Sequence, residues 1–324
     1  MVDPTLQLLD RAEIVRRVDT RVGLQQVRKS FIAYSGGRAS MPPVSYLGFP
    51  QANGDCHVKC GYIHGEPIFA VKIATGFYDN PAHGLPSSNG LVVAISAHTG
   101  APLALLRDEG YLTDLRTGLA GAIATQLMWP RNATRVGLVG TGTQARMQLR
   151  ALRLAIPETA ITVEVWGRSN SSVQALIADV ADLGLPIHPC GSLEELCRNA
   201  QVIITTTPST APLVMDAWIS PGTHITAVGA DAPGKQELET SLVARATRLL
   251  ADSREQSVDH GEFYHAVSAG LVDAQSIIEI GSVLASSKVA REDADISIAD
   301  LTGLGVQDAA IAACALNGYS MRTT

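Results

Sequence analysis

The spacing of apolar residues changes along the chain, and the changes predict different elements. In residues 6–35 apolar positions recur every three or four residues, which predicts a helix ending near "SGGR". Residues 40–110 contain short apolar runs with partial alternation, bounded by Gly, Pro and Asn, and these predict antiparallel strands. The segment "TDLRTGLAGAIATQLMW" then predicts a helix with a face of small residues.

From residue 135 onwards, short apolar runs are separated by helical patterns. The runs are "RVGLVG", "ITVEVWG", "QVIITTT", "THITAVG" and "TRLLAD". Such alternation predicts a parallel, doubly wound sheet. Near the end, "LTGLGVQDAAIAACAL" predicts a small-residue helix that we expect to pack back on the first domain. The expected fold class is α/β, with a doubly wound parallel sheet and an α+β domain that contains antiparallel strands.

Composition narrows the functional classes. The chain has 324 residues, 46% of them apolar, which is enough to build the cores of two domains. Its net charge of −6 and the absence of a dense basic run argue against general nucleic-acid binding. No signal peptide is expected from the first residues, and no apolar stretch approaches the roughly 18 residues of a membrane span. Five cysteines without paired CxxC spacing favour reduced thiols and a cytoplasmic location.

The stretch "GLVGTGTQAR", residues 137–146, lies between a predicted strand and a predicted helix. In that context Gly140 allows a tight turn, and Gly142 lets the backbone approach a phosphate at the helix N-terminus. The third position of the pattern is Ala145, which the pattern accepts. The context predicts a pyrophosphate-binding loop; the alternative is a structural turn between strand and helix.

The second strand of this region ends without the acidic residue that commonly binds an NAD ribose. Gly167, Arg168, Ser169 and Asn170 follow it instead. Arg168 could pair with a 2′-phosphate or stack on adenine, and by itself this feature favours NADP(H) over NAD(H). The alternative is a solvated loop arginine.

Three charged residues lie at positions where an apolar or small residue would be expected or where ligands commonly bind. Lys72 lies inside an apolar strand, where an unpaired ammonium is costly. Arg116 begins a small-residue helix, and Asp231 follows an apolar strand directly, where ligands of open α/β sheets collect. Each has a structural alternative: Lys72 could reach solvent, Arg116 could form an ion pair, and Asp231 could cap a helix. Together with the nucleotide loop they predict a site for a small carboxylate substrate.

Five stretches, in this order, resemble the ornithine cyclodeaminase/mu-crystallin family. They are "KIATGFYDNPAHGLPSSNG", "LTDLRTGLAGAIA", "VGLVGTGTQA", "VGADAPGKQEL" and "DLTGLGVQDAA". The resemblance implies a Rossmann domain, which we expect over residues 121–302. It also implies a substrate-binding and dimerisation domain built from both chain ends, expected over 1–120 and 303–324. The implied activity is NAD(P)-dependent chemistry at the α-carbon of an amino or imino acid, in a homodimer.

The resemblance also implies roles for the matched positions. Lys72 and Arg116 would hold the substrate α-carboxylate, and Asp231 would handle the substrate nitrogen, with Lys72 and Asp231 as the catalytic pair. With the residues of the glycine-rich loop and of the segment after the second strand, the positions expected at the cofactor are Ser87, Arg116, Gly140, Thr141, Gly142, Thr143, Gln144, Ala145, Arg168, Ser169, Asn170, Thr302 and Gly303.

This chain departs from the family pattern at two places. Cyclodeaminase members carry a glutamate 13 residues before the lysine, where this chain has Lys59, and many read Pro-Pro-Arg where it has Pro42-Pro43-Val44. A cation in place of a carboxylate disfavours ornithine, whose second ammonium group would be repelled. His57 and Lys59 alternate onto one strand face and could both reach a second carboxylate; the alternative is a solvent-facing strand.

A dicarboxylic imine fits these features better than ornithine does. Among family members, the chain resembles those that reduce iminosuccinate to L-aspartate with NADH, so NAD(H) is expected despite Arg168. The alternatives are a cyclic ketimine reductase, an alanine dehydrogenase-like enzyme and a non-catalytic crystallin-like NADP-binding protein. The loop "DHGEFYH" offers His260, Glu262 and His265, but we expect a solvated loop and no metal, because an iminium needs no Lewis acid.

Overall fold

The computed structural model describes residues 6–286 and 291–316. The chain divides into two compact units, one made of Met1–Arg116 with Leu304–Thr324 and the other of Thr117–Gly303. The sequence places the expected domain boundaries after residues 120 and 302, and the roles of the two domains stay predictions. The first unit is therefore assembled from two separate parts of the chain.

The first unit is built on a seven-stranded sheet. The strand order is β1-β7-β6-β5-β4-β2, and β3 also pairs with β4. The pairing of β1 with β7 is parallel and the others are antiparallel, so the antiparallel strands predicted over residues 40–110 are confirmed. The strands are β1 Gln7–Asp10, β2 Ala39–Ser40, β3 Ser45–Phe49, β4 Gly54–Ile63, β5 Ile68–Phe77, β6 Ser88–Ser96 and β7 Pro102–Arg107.

The N-terminal segment differs from the single helix expected over residues 6–35. It contains β1, then α1 (Arg11–Arg17) and α2 (Thr20–Ser35), so the prediction of one continuous helix was wrong. The physical reason lies in two aspartates. Asp10 accepts a hydrogen bond from the amide of Glu13, and Asp19 accepts from the amides of Arg21 and Val22, so each starts a new helix.

The last helix, α11 (Gly305–Ala315), packs against β4, β5 and α2, as its small residues predict. The helix lies directly on the backbone of β4. A Cβ atom at Gly61 would lie 2.1 Å from the carbonyl carbon of Gly305, and one at Gly305 would lie 2.3 Å from the carbonyl oxygen of Cys60. Only glycine permits this approach on either side. The helix α3 (Tyr111–Leu127) begins in the first unit and continues into the second.

The second unit contains an eight-stranded parallel sheet in the order β10-β9-β8-β11-β13-β17-β15-β16. Its first six strands have the order of a dinucleotide-binding sheet, which reverses between β8 and β11. The predicted doubly wound Rossmann sheet is confirmed. A separate parallel pair is formed by β12 and β14. The strands are β8 Arg135–Val139, β9 Thr162–Trp166, β10 Ile187–Pro189, β11 Val202–Thr205, β12 Thr210–Val214, β13 His224–Ala227, β14 Gln236–Leu238, β15 Arg248–Ala251, β16 Ile278–Glu279 and β17 Ser297–Asp300.

Helices and apolar clusters cover the two faces of this sheet. One cluster includes Leu138, Val163 and Ile204, and the other includes Ile203 and Ile225. Strands buried on both faces read as continuous apolar runs, which explains why they are recognisable in the sequence. In the described part of the chain, no helix is both long enough and apolar enough to span a membrane. The helices are α4 Thr143–Ala155, α5 Asn170–Asp179, α6 Leu193–Asn199, α7 Thr240–Arg245, α8 Arg254–His260, α9 Tyr264–Ser268 and α10 Ile280–Ser286.

Candidate functional site

Two buried cations of the first unit share one carboxylate oxygen. Lys72 lies on β5, Arg116 on α3 and Asp308 near the start of α11. The Lys72 Nζ atom donates to Asp308 Oδ1 at 3.0 Å, and the Arg116 Nε atom donates to the same oxygen at 3.1 Å. The anion that the buried lysine needs is therefore Asp308, 236 residues away along the chain. The ion pair considered as the alternative for Arg116 is thus present, and whether the two cations also hold a substrate stays a prediction.

The charges of this cluster do not cancel. Lys72 and Arg116 bring two positive charges and Asp308 brings one negative charge, while Asp308 Oδ2 is buried without a hydrogen-bond partner among the described residues. Burial is the main cause that lowers the pKa of Lys72 to about 7; Arg116 and Lys59 lower it further, and Asp308 opposes them. Burial would raise the pKa of Asp308, but the two cations hold it below its usual value. The cluster can therefore accept a further anion.

Lys59 and His57 lie on the same face of the sheet as Lys72. The register of β4 and β5 places Lys59 opposite Lys72, and His57 two residues earlier faces the same side. The His57 Nε2 atom lies 3.5 Å from Asp55 Oδ1, and its ring packs edge-on against Tyr46. The structure thus adds a third cation beside the pair. The role of Lys59 and His57 in binding substrate remains a prediction.

The glycine-rich loop follows β8, at the point where the strand order reverses. Gly140 has a φ of 115°, and a Cβ atom there would lie 2.5 Å from Thr206 Oγ1. Gly142 precedes α4, and within residues 6–286 and 291–316 no side chain caps this helix and no atom would lie within 4 Å of a Cβ atom at Gly142. Ala145 is fully buried against the sheet. No described residue approaches the place that a side chain at Gly142 would fill, which leaves room for a phosphate at the N-terminus of α4.

The other predicted residues of the glycine-rich loop are neighbours of Gly140, Gly142 and Ala145 in the chain. Thr141 contacts the end of β9, since a Cβ atom at Gly167 would lie 2.6 Å from its methyl group. Thr143 and Gln144 form the first turn of α4. Arg146, which sequence reasoning did not single out, donates from Nη1 to the carbonyl oxygens of Thr141 at 2.5 Å and Gly142 at 3.1 Å.

The segment that follows β9, residues 167–170, contains no acidic residue. Arg168 is exposed, and Asn170 begins α5. The side chain of Ser169 accepts a hydrogen bond from the Ser172 amide and so caps α5. The Ser169 hydroxyl therefore already has a structural role, while Arg168 is the charged group of this segment.

Further predicted residues lie at the carboxyl edge of the second unit's sheet. Asp231 follows β13, is 49% exposed and pairs with Lys235 at 2.6 Å. Thr302 and Gly303 follow β17, where Asp252 holds them: its carboxylate accepts from the Thr302 amide and hydroxyl and from the Gly303 amide. Ligands of such sheets bind at this edge.

The structure gathers the predicted residues into two groups, one in each unit. The first unit holds the cluster of cations, and Ser87 stands directly before its strand β6 with its carbonyl accepting from Phe77. The second unit holds the glycine-rich loop and the carboxyl edge. Sequence reasoning missed Asp308 and Asp252. Asp308 stands inside the motif "DLTGLGVQDAA", and its acidic side chain in an apolar helix was an available signal.

The three candidate metal ligands of the loop "DHGEFYH" each contact another group. His260 pairs with Asp259, His265 packs edge-on against Tyr264, and Glu262 accepts from the buried amides of Glu237 and Leu238. Over residues 6–286 and 291–316, no three His, Cys, Asp or Glu side chains form a group that could hold a metal ion.

Comparison with known sequences gives relatives that span almost the whole chain. It is 39% identical to an uncharacterised cyclodeaminase of Sinorhizobium fredii, over 99% of this chain and 98% of the relative. It is 36% identical to an alanine dehydrogenase of Archaeoglobus fulgidus, covering 94% of this chain and 92% of that protein. It is 34% identical to the iminosuccinate reductase of Paracoccus denitrificans, covering 90% and 91%.

Solved structures of the same kinds of enzyme are similar to this chain over almost its whole length. An archaeal alanine dehydrogenase dimer with bound NAD superposes with a TM-score of 0.87 at 34% identity, covering 96% of this chain and 94% of that one. The Paracoccus denitrificans iminosuccinate reductase with NAD+ gives 0.87 at 31% identity, covering 96% and 95%. The Thermococcus litoralis Δ1-pyrroline-2-carboxylate reductase with NADH and L-proline gives 0.89 at 27% identity, covering 96% of both chains.

Family assignment follows from the extent of the match. The sequence profile of the ornithine cyclodeaminase/mu-crystallin family matches residues 5–318. That span includes both units, the cation cluster and the glycine-rich loop. The chain therefore belongs to the ornithine cyclodeaminase/mu-crystallin family.

Proposed function

We propose that this protein is an NAD(H)-dependent imine reductase that converts an imino acid to an L-amino acid, with iminosuccinate as substrate and L-aspartate as product. The observation that carries the proposal is the excess positive charge around Asp308: Lys72 and Arg116 share one oxygen of this carboxylate, and Lys59 lies beside them. Reductases of iminosuccinate and of Δ1-pyrroline-2-carboxylate are among the chain's relatives. A buried site with unbalanced positive charge favours a carboxylate ligand.

Lys72 and Arg116 hold the α-carboxylate in this proposal. Asp308 holds both side chains in place, because its Oδ1 atom accepts hydrogen bonds from Lys72 Nζ and Arg116 Nε at similar distances. The two cations then bind one carboxylate in one orientation, which sets the face of the imine carbon that is reduced. Positioning of this kind can lower a barrier by about 7 to 11 kcal/mol in favourable cases.

The second unit fits a dinucleotide. The turn at Gly140, the open backbone at Gly142 and the start of α4 suit a pyrophosphate, and Arg146, which is paired with Asp179, donates to two carbonyl oxygens of this loop. When bound, a reduced nicotinamide supplies hydride to the imine carbon. We propose NAD(H) because the related alanine dehydrogenase and iminosuccinate reductase structures hold NAD. Because Arg168 could pair with a 2′-phosphate, the activity with NADPH has to be measured beside that with NADH.

Asp231 handles the substrate nitrogen in this proposal. Its carboxylate stands at the carboxyl edge of the sheet and has Lys235 as an ion-pair partner. A carboxylate that accepts a hydrogen bond from the nitrogen favours the protonated iminium, which is the better electrophile. Asp231 thereby keeps the proton on the nitrogen while the carbon is reduced.

Lys59 distinguishes iminosuccinate from a monocarboxylic imine. Its position opposite Lys72 puts a second cation on the same sheet face, suited to a second carboxylate. His57 is the weaker candidate for this role, since Asp55 already lies 3.5 Å from its ring. A cation here also repels the side-chain ammonium of ornithine.

The test is a substrate comparison with NADH and NADPH in parallel. Oxaloacetate with ammonia, pyruvate with ammonia and Δ1-pyrroline-2-carboxylate present the three imines, and ornithine tests cyclodeamination. We expect the highest kcat/KM for oxaloacetate with ammonia and NADH. If activity is highest with pyruvate or with the cyclic imine, the protein is an alanine dehydrogenase-like enzyme or a cyclic ketimine reductase instead. If no imine supports NAD(P)H oxidation, a non-catalytic NADP-binding protein is the better assignment.

A pair of variants tests the second-carboxylate role. Lys59→Met should lower kcat/KM for iminosuccinate by about 10- to 100-fold, since a charged contact is lost, while the pyruvate reaction changes little. Lys59→Arg keeps the charge and is the matched control. Equal losses on both substrates in Lys59→Met would refute the role of Lys59 in substrate choice.

We also propose that the protein is a homodimer formed through the first unit's sheet. One face of the sheet packs on α11, and the opposite face, termed here the open sheet face, is apolar and partly exposed. Leu8, Leu47 and Ile73 are 68%, 58% and 37% exposed. The open sheet face consists of Leu8, Leu47, Val58, Val71, Ile73, Leu91, Val93 and Leu105. Apolar patches of this kind mark association surfaces.

A further inference from the structure

A buried carboxylate lies beneath the carboxyl edge of the second unit's sheet, and no cation of the described residues pairs with it. Glu237 on β14 is fully buried, and its two oxygens accept four hydrogen bonds. Oε2 accepts from the Thr205 hydroxyl at 2.7 Å and the Gly229 amide at 2.8 Å. Oε1 accepts from the Thr207 amide at 2.6 Å and the Thr207 hydroxyl at 2.7 Å. Burial raises the pKa of Glu237, and the four hydrogen bonds oppose that rise.

These bonds join two loops at their bases. Thr205 ends β11 and Thr207 follows it, while Gly229 opens the loop after β13. Glu237 stands eight residues beyond Gly229, so its side chain closes the segment 229–237 into a ring. A Cβ atom at Gly229 would lie 2.0 Å from the Thr207 carbonyl oxygen, so the two loops touch at this point. Asp231 is two residues from the closed base.

We propose that Glu237 is a positioning residue that fixes the loop carrying Asp231, and through it the carboxylate that holds the substrate nitrogen. This inference rests on the proposed function for its kinetic consequence. Glu237 is too deeply buried to act on a substrate itself. A neutral side chain cannot replace it, because a glutamine amide offers one oxygen, and one of the two pairs of donors would face an NH2 group.

The first experiment measures the loop directly and needs no activity. Hydrogen–deuterium exchange of the full-length protein is compared between wild type and Glu237→Gln, in peptides that cover residues 205–209 and 229–236. We expect the amide of either Thr207 or Gly229 to exchange at least about tenfold faster in the variant, since the glutamine leaves one of the two facing an NH2 group. Unchanged exchange in both peptides would overturn the inference whatever reaction the protein catalyses.

The second experiment tests whether Glu237 acts through Asp231. A double-mutant cycle compares the kcat values of wild type, Glu237→Gln, Asp231→Asn and the double variant, with the imine that gives the highest kcat/KM as substrate. We expect Glu237→Gln to lower kcat by about 10- to 100-fold in the wild-type background and by less than about twofold when Asp231→Asn is already present. The same loss in both backgrounds would refute positioning through Asp231 while leaving the proposed reaction intact.

Asp295→Asn is the matched control. Asp295 is a largely buried carboxylate of the same unit, just before β17 at the opposite edge of the sheet, and it accepts from Thr247, Arg248 and the Glu292 amide. Its loss should leave exchange at residues 229–236 and kcat unchanged. If Glu237→Gln does not fold, Thr205→Val removes one donor to the same carboxylate and should give smaller effects in the same direction. Thr205→Val with wild-type exchange and kcat would then overturn the inference.

Discussion

At the residue scale, the most informative group is the ammonium of Lys72. Burial first, and then repulsion by Arg116 and Lys59, lower its pKa to about 7, so near neutral pH this lysine is divided between charged and neutral forms. Only the charged form attracts a carboxylate strongly. Substrate binding should therefore take up a proton, and affinity for carboxylates should fall as pH rises through 7.

We expect the inhibition constant of succinate, which mimics the two carboxylates, to rise between about pH 6.5 and about pH 9, by up to tenfold per pH unit above the pKa. The measurement is competitive inhibition against the imine at each pH. Lys72→Arg is the control, because a guanidinium stays charged throughout this range. An equal pH slope in wild type and Lys72→Arg would show that Lys72 is not the titrating group.

The sequence could predict Lys72 and Arg116 but not their partner. A lysine inside an apolar strand needs an anion, and this need is visible in the sequence. Which of 31 acidic residues supplies the anion depends on a contact between residues 236 positions apart, and no local pattern encodes such a contact. The same holds for Asp252 beneath Thr302, which only the parallel pairing of β15 with β17 brings close.

At the element scale, the position of α11 on β4 decides whether the cation cluster forms. Asp308 stands in the first turn of α11, directly beyond the glycine contact between Gly61 and Gly305. A side chain between the two backbones would push the helix away and move its carboxylate from Lys72.

Gly61→Ala should therefore destabilise the protein by about 1 to 3 kcal/mol or more, because its Cβ atom would meet backbone that cannot rotate aside. The measurement is urea unfolding. Gly191→Ala is the control: a Cβ atom there meets nothing within 4 Å, so a change within about 0.5 kcal/mol is expected. Wild-type stability in Gly61→Ala would contradict the close packing of α11 on β4.

The sequence predicted some strands of the second unit and missed others. Apolar runs buried on both faces identified β8, β9, β11, β13 and β15. The pattern did not reveal β10, β14 and β16, which have two or three residues each, or β12, which contains a proline, and β17 was missed although it is as long as β11. At the N-terminus a helical period continued through β1, where pairing with β7 prevails over local pattern.

At the scale of the whole molecule, the open sheet face carries the prediction of a homodimer. Val71→Lys would place a charge in the middle of this apolar face. We expect it to shift the protein from twice the chain mass to the chain mass in light scattering after size exclusion. Leu271→Lys is the control, because Leu271 is an exposed apolar residue of the second unit. A monomeric wild type, or a dimeric Val71→Lys variant, would contradict an interface at this face.

The sequence contains two regions of different pattern, and the structure divides the chain into two units. A β-rich part precedes an alternating part, and the last helix has the small residues that close packing needs. The sequence could not place the boundary inside α3, because one continuous helix crosses it without any break in its pattern.

The late arrival of Asp308 has a consequence for synthesis of the chain. A ribosome makes Lys72 and Arg116 long before Asp308, so a nascent chain carries these two cations without their shared carboxylate until residue 308 has been made. The second unit, by contrast, has all its strands once residue 300 has emerged. The complete cation cluster can therefore form only after the strands of the second unit have been made, and a chain that stops before Leu304 would lack its carboxylate.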